Sequence, residues 1–162
     1  MREIFSQALR ATRATASVMA RDLVGSRAQD PLAERDPRFI RQTLPAYSRA
    51  AQLYFRPKVR DLEQIPAEGP VLLVGNHSGG TLIADTFAFA YGFYNYFGPD
   101  RLFHQLAHDL VFRVPGLVAL RRYGTIPANH ENAMTALGKG AALLVYPGGD
   151  HETYRPSWHS GE

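Results

Sequence analysis

Two short, unbroken apolar runs, Val71–Val74 and Ala141–Tyr146, most narrow what this chain can fold into. A run with no polar alternation is the pattern of a strand buried on both faces, as in a largely parallel sheet. Helix signals fall between such runs. Thr81 is placed to cap a helix reaching about Phe97, and Asn129 to cap one reaching about Leu137. Further strands are expected over Lys58–Leu62, Leu102–Leu106 and Thr125–Ile126. Strands alternating with helices predict an α/β fold, a mostly parallel sheet flanked by helices with right-handed crossovers. A length of 162 residues suits one ordinary domain with a true core.

The first part of the chain has a different texture. Ile4, Phe5, Ala8, Leu9, Ala16, Met19 and Leu23 recur at helical spacing among arginines, and a polar stretch then leads to Pro31. Asp36 and Pro37 open a second helix, whose apolar face runs through Phe39, Ile40, Leu44, Tyr47 and Leu53, with Pro45 placed to kink or divide it. The chain therefore divides into an N-terminal helical region, 1–54, and an α/β domain, 55–162. The arginines of the first region suit an anionic lipid surface. Nucleic acid is not expected, since no reading motif interleaves aromatics with the basic residues. The most apolar window, Leu82–Phe97, holds Asp85 and several tyrosines, and no window offers the ~18–20 apolar residues of a membrane span. With no secretory signal and no cysteine, a peripheral position on the cytoplasmic side of a membrane is expected. The alternation stops at Glu162 straight after a loop, which predicts a sheet incomplete at its C-terminal side.

Ligands of open α/β sheets bind beyond the carboxyl ends of the strands, and two loops there carry unusual chemistry. The first is Gly75-Asn76-His77-Ser78-Gly79-Gly80, with Asp85 soon after. A histidine at a strand end, among glycines that allow close backbone approach, suits a general base, and a nearby carboxylate would orient its ring. The second loop is Tyr146-Pro147-Gly148-Gly149-Asp150-His151-Glu152, with Arg155 beyond it. Its glycine pair can offer backbone N–H groups to an oxyanion or a phosphate.

The stretch from Arg56 to Gly80 resembles the first block of the lysophospholipid and glycerolipid acyltransferases, with His77 matching the histidine of their H-x-x-x-x-D motif. The motif's acid position is Leu82 here, and the first acid is Asp85, three residues further on. Three residues turn a helix by about 300°, so Asp85 would lie on nearly the same face, one turn deeper. Tyr123-Gly124-Thr125-Ile126-Pro127 is similar to the second block, with His130 where an arginine usually stands. The second loop is similar to the third block. Gly148 replaces its usual glutamate, and the P-G-G-x-x-E form is closer to the diacylglycerol acyltransferase-like branch, with Glu152 as the counterpart. The resemblance spans about Arg56 to Pro156.

The resemblance implies an O-acyltransferase that moves a fatty acyl group from acyl-CoA or acyl carrier protein to a lipid hydroxyl. It implies no cofactor, no metal and no covalent intermediate. His77 would be the base and Asp85 its partner. Asn76, Ser78, Gly79, Gly80, Gly148, Gly149, Glu152 and Arg155 would shape the substrate side. The missing glutamate and arginine favour a neutral alcohol over lysophosphatidic acid as acceptor.

Three other readings compete. Ser78 could serve as a hydrolase nucleophile, although Asn76 breaks the G-x-S-x-G elbow. The same fold could act as a lipid-binding module without turnover. His104 and His108, with Asp109, have helical metal-ligand spacing, but they fall where an expected strand passes into a helical region broken by Pro115. The aromatic cluster Tyr91, Phe93, Tyr94, Tyr96 and Phe97 suits either core packing or an acyl channel.

Overall fold

The computed structural model describes residues 30–54, 56–77, 84–114 and 117–148. Within them lie four strands, β1 (Val71–Val74), β2 (Phe103–Ala107), β3 (Thr125–Pro127) and β4 (Ala142–Val145), and three α-helices, α1 (Pro37–Tyr54), α2 (Ala84–Phe97) and α3 (His130–Gly138). All strand pairs are parallel, and the strands lie side by side in the order β1-β4-β2-β3. The α/β architecture is as expected. The order makes the last strand the neighbour of the first: Val71 pairs with Ala142 and Val74 with Val145.

Helices α1 and α2 cover one face of the sheet. Phe93 and Tyr94 of α2 pack with Ile40 of α1 against Phe103, Ala142 and Leu144. The Phe93 and Phe103 rings stack with centroids 4.5 Å apart. So the α2 aromatics are divided: Phe93 and Tyr94 are core residues, whereas Tyr96 is exposed. The opposite face is covered by α3, where Ala136 meets Ile126 and Leu143, and by Leu32 from a short 3-10 turn (Pro31–Glu34).

The caps follow the sequence. Asp36 accepts hydrogen bonds from the Arg38 and Phe39 amides at 2.9 and 3.0 Å, and Asn129 accepts one from Asn132 at 2.7 Å. These satisfy amides that have no partner within the helix. Pro45 does not divide α1, which runs unbroken from Pro37 to Tyr54. Arg101 donates to Gly140 O at 3.0 Å and Gly69 O at 2.7 Å, tying together the turns that lead into β4 and β1.

Two expectations are corrected. Lys58–Leu62 is not a strand: Arg56 and Asp61 have positive φ values (47° and 58°), which bend the chain away from the sheet. Val59 instead packs on α2 at Gly92, where a β-carbon would stand 2.6 Å from the valine Cγ2. Glycine is therefore the residue that lets this segment lie against the helix. Val71–Val74 is not buried on both faces. Leu72 and Val74 are 52% and 62% exposed, because β1 lies at the sheet edge beyond the reach of α3. After β2 the expected helical region is two short 3-10 stretches, Asp109–Arg113 and Val118–Tyr123. The expected Ile4–Val24 helix, the Thr81 cap and the chain beyond Gly148 lie outside the described residues.

Candidate active site

The loops after β1 and β4 leave adjacent parallel strands at their carboxyl ends, which brings residues some seventy positions apart into contact. His77 follows β1 by three residues, and Asp85 stands in the first turn of α2. The His77 Nδ1 and Asp85 Oδ2 are 2.8 Å apart, in side chains only 14% and 18% exposed. A carboxylate only accepts, so Nδ1 carries the proton and Nε2 the lone pair in the neutral ring. The second Asp85 oxygen accepts from the Thr86 amide at 2.7 Å, which fixes the carboxylate at the helix start.

The displaced acid thus reaches the histidine from the first turn of α2. The other face of the site is Tyr146, just after β4. Its ring lies over the imidazole at a centroid distance of 4.5 Å and an interplanar angle of 14°. Burial pushes the Tyr146 hydroxyl up to about 12. Sequence reasoning did not single out Tyr146. The signal for it was the pairing of Gly75 with a ring-bearing residue on the neighbouring strand, and this appears only once β1 and β4 are known to be neighbours.

Of the remaining site candidates, Asn76 is exposed beside His77, and Gly148 is half-buried in the turn after β4. Ser78, Gly79, Gly80, Gly149, Glu152 and Arg155 lie outside the described residues. His130 opens α3 and is exposed. His104 and His108 do not share a helix face. His104 is buried in β2, where its Nδ1 donates to Gly124 O at 3.0 Å, and His108 caps the following turn by accepting from the Leu110 amide. Burial brings His104 down to about 4, so its ring is neutral in the folded chain at ordinary pH. Among the described residues, no group of three or more His, Asp or Glu is placed to hold a metal ion.

An apolar cavity of about 330 Å³ opens between the end of α1 and the start of α2, lined by Tyr47, Ala50, Ala51, Tyr54, Phe87 and Ala88 with Pro57. Phe87 and Ala88 follow Asp85 within one helical turn of α2. A larger cleft of about 520 Å³ lies at the opposite end of α1, beside Asp36 and Arg122. Two of its ion pairs close within the fold, Arg122 with Asp36 at 2.6 Å and Arg41 with Asp100 at 2.7 Å.

A parallel α/β sheet with a histidine–aspartate pair at the carboxyl end of its first strand defines a class of site suited to proton abstraction. Comparison with protein families places it more narrowly: the acyltransferase family model matches residues 56–158, and the chain belongs to the acyltransferase family. Neither the curated proteins nor the solved structures give a match.

Proposed function

We propose that this chain transfers a fatty acyl group from an acyl thioester, carried by CoA or acyl carrier protein, to the hydroxyl of a lipid. His77 is the general base. The observation that carries this reading is the 2.8 Å contact between His77 Nδ1 and Asp85, which presents Nε2 as the basic nitrogen. Nε2 takes the proton of the acceptor hydroxyl as its oxygen attacks the thioester carbonyl. The tetrahedral intermediate then expels the thiolate, which recovers the proton from the imidazolium. Asp85 steadies the imidazolium in between, and the products are an ester and a free thiol. Backbone amides of the Gly148–Gly149 turn are the candidate donors to the intermediate's oxyanion.

The apolar cavity beside α2 supports a lipid substrate, since its lining suits a hydrocarbon chain. The residues at the two family positions that usually grip a phosphate, Gly148 and His130, favour a neutral alcohol such as a diacylglycerol as acceptor. Family membership favours acyl transfer over the Ser78 hydrolase reading. The lipid-binding module without turnover is separated from the enzyme by one experiment. Labelled acyl-CoA is offered with diacylglycerol and with lysophosphatidic acid, using wild type, His77→Ala and Asp85→Asn. Both variants are expected to lose ~10²–10⁴ in kcat, the share general base catalysis supplies, with KM little changed. Transfer that survives in His77→Ala refutes the assignment. A folded wild type that uses neither CoA nor carrier-protein donors is a binding module.

A further inference from the structure

We infer that Tyr146 is a positioning residue for His77: its ring fixes the face of the imidazole, as Asp85 fixes its edge, so that Nε2 points in one direction. The inference rests on the reading of His77 as the base. The hydrogen bond at Nδ1 sets one point of the ring, and rolling about the N–O line is a freedom that this bond does not itself remove. A second ring, 14° from parallel with its centroid 4.5 Å away, removes that freedom.

Asp85 accepts the hydrogen bond of Nδ1–H and is itself held by the Thr86 amide at 2.7 Å. The Tyr146 ring approaches from the end of the neighbouring strand, β4. The backbone makes room for it. A β-carbon at Gly75 would stand 3.1 Å from Tyr146 Cε1, tighter than nearly all real contacts, so glycine lets the ring settle where it meets His77. The hydroxyl stays protonated over the working pH range, so the contribution of Tyr146 is geometric and not acid–base.

The test uses the full chain with Tyr146→Phe, Tyr146→Leu and, as an independent way of displacing the ring, Gly75→Ala. Two quantities are read: the kcat and KM of acyl transfer, and the downfield proton resonance of the hydrogen-bonded His77 Nδ1–H, assigned by its loss in His77→Ala. Misplacing a reacting group by about 1 Å costs up to ~10²-fold, so Tyr146→Leu is expected to lower kcat roughly 10- to 100-fold with KM nearly constant. It should also broaden or abolish the resonance. Tyr146→Phe keeps the stack and should restore most of both, and Gly75→Ala should resemble Tyr146→Leu. Retention of kcat and of the resonance in Tyr146→Leu overturns the inference, as does a loss confined to KM, which would make Tyr146 a substrate contact. If the wild type transfers no acyl group, the enzymatic reading fails by itself, and the resonance still decides whether Tyr146 orders the imidazole.

Discussion

At the scale of single residues, the pairing of His77 with Asp85 shows how spacing in sequence converts into geometry. Eight positions separate them, and the acid still reaches Nδ1 at 2.8 Å because it stands in the first turn of a helix directed at the loop. The sequence made both residues legible, since a lone histidine among glycines and the first acid after it are local features. It did not make Tyr146 legible, because stacking depends on which strand lies alongside β1. His104 shows the same division: its helical spacing from His108 was visible, whereas its burial in β2 was not. That burial has a consequence for stability. The folded-state value of about 4 lies below the ordinary 6.5, so between these values the unfolded chain binds the extra proton and the folded chain does not. Its contribution is fully present above pH 6.5 and is lost as pH falls towards 4, by as much as about 3 kcal/mol. Thermal melts across that window should show a falling Tm in wild type and a flatter profile in His104→Asn. Equal slopes in the two proteins would assign the acid lability to other groups. Asp30 and Asp36, whose carboxyls are held below the usual range, release their share at lower pH.

Among the elements, the caps Asp36 and Asn129 and the apolar strands stood out because each is specified by adjacent residues. Lys58–Leu62 misled because its alternation resembles a strand, while the positive φ values at Arg56 and Asp61 turn it over α2. The α1–α2 pair matters most for the substrate. Tyr47 donates to Phe87 O at 2.8 Å, and between the two helices lies the apolar cavity. If that cavity takes the acyl chain, filling it should shorten the chain preferred. Ala88→Phe is expected to move the optimum to shorter acyl donors, each excluded methylene costing ~0.8 kcal/mol, or about fourfold in kcat/KM. Chain-length profiles from labelled donors check this, and an unchanged optimum with reduced overall rate would place the chain elsewhere.

For the whole molecule, no helix among the described residues is long and apolar enough to cross a membrane. The α1 end nearest the site nevertheless exposes Leu53 and Tyr54 beside the exposed Arg49, Arg56 and Lys58. Apolar side chains rimmed by cations suit an anionic lipid surface. Vesicles containing anionic lipid should therefore retain the protein in flotation, and Leu53→Ser with Tyr54→Ser should weaken retention several-fold, while Met134→Ser on α3 should not. Equal retention of all three proteins would remove this face from lipid contact. The sequence by itself determined most of the element types and boundaries, the Asp36 and Asn129 caps, and the pairing of the histidine with its acid, because these follow from neighbours along the chain. The strand order β1-β4-β2-β3, the bare outer face of β1, the cavity between α1 and α2, and the ring over His77 were decided by tertiary structure alone. Each depends on which distant segments compete to cover the same apolar surface, and hydrophobic burial does not encode that choice in local sequence.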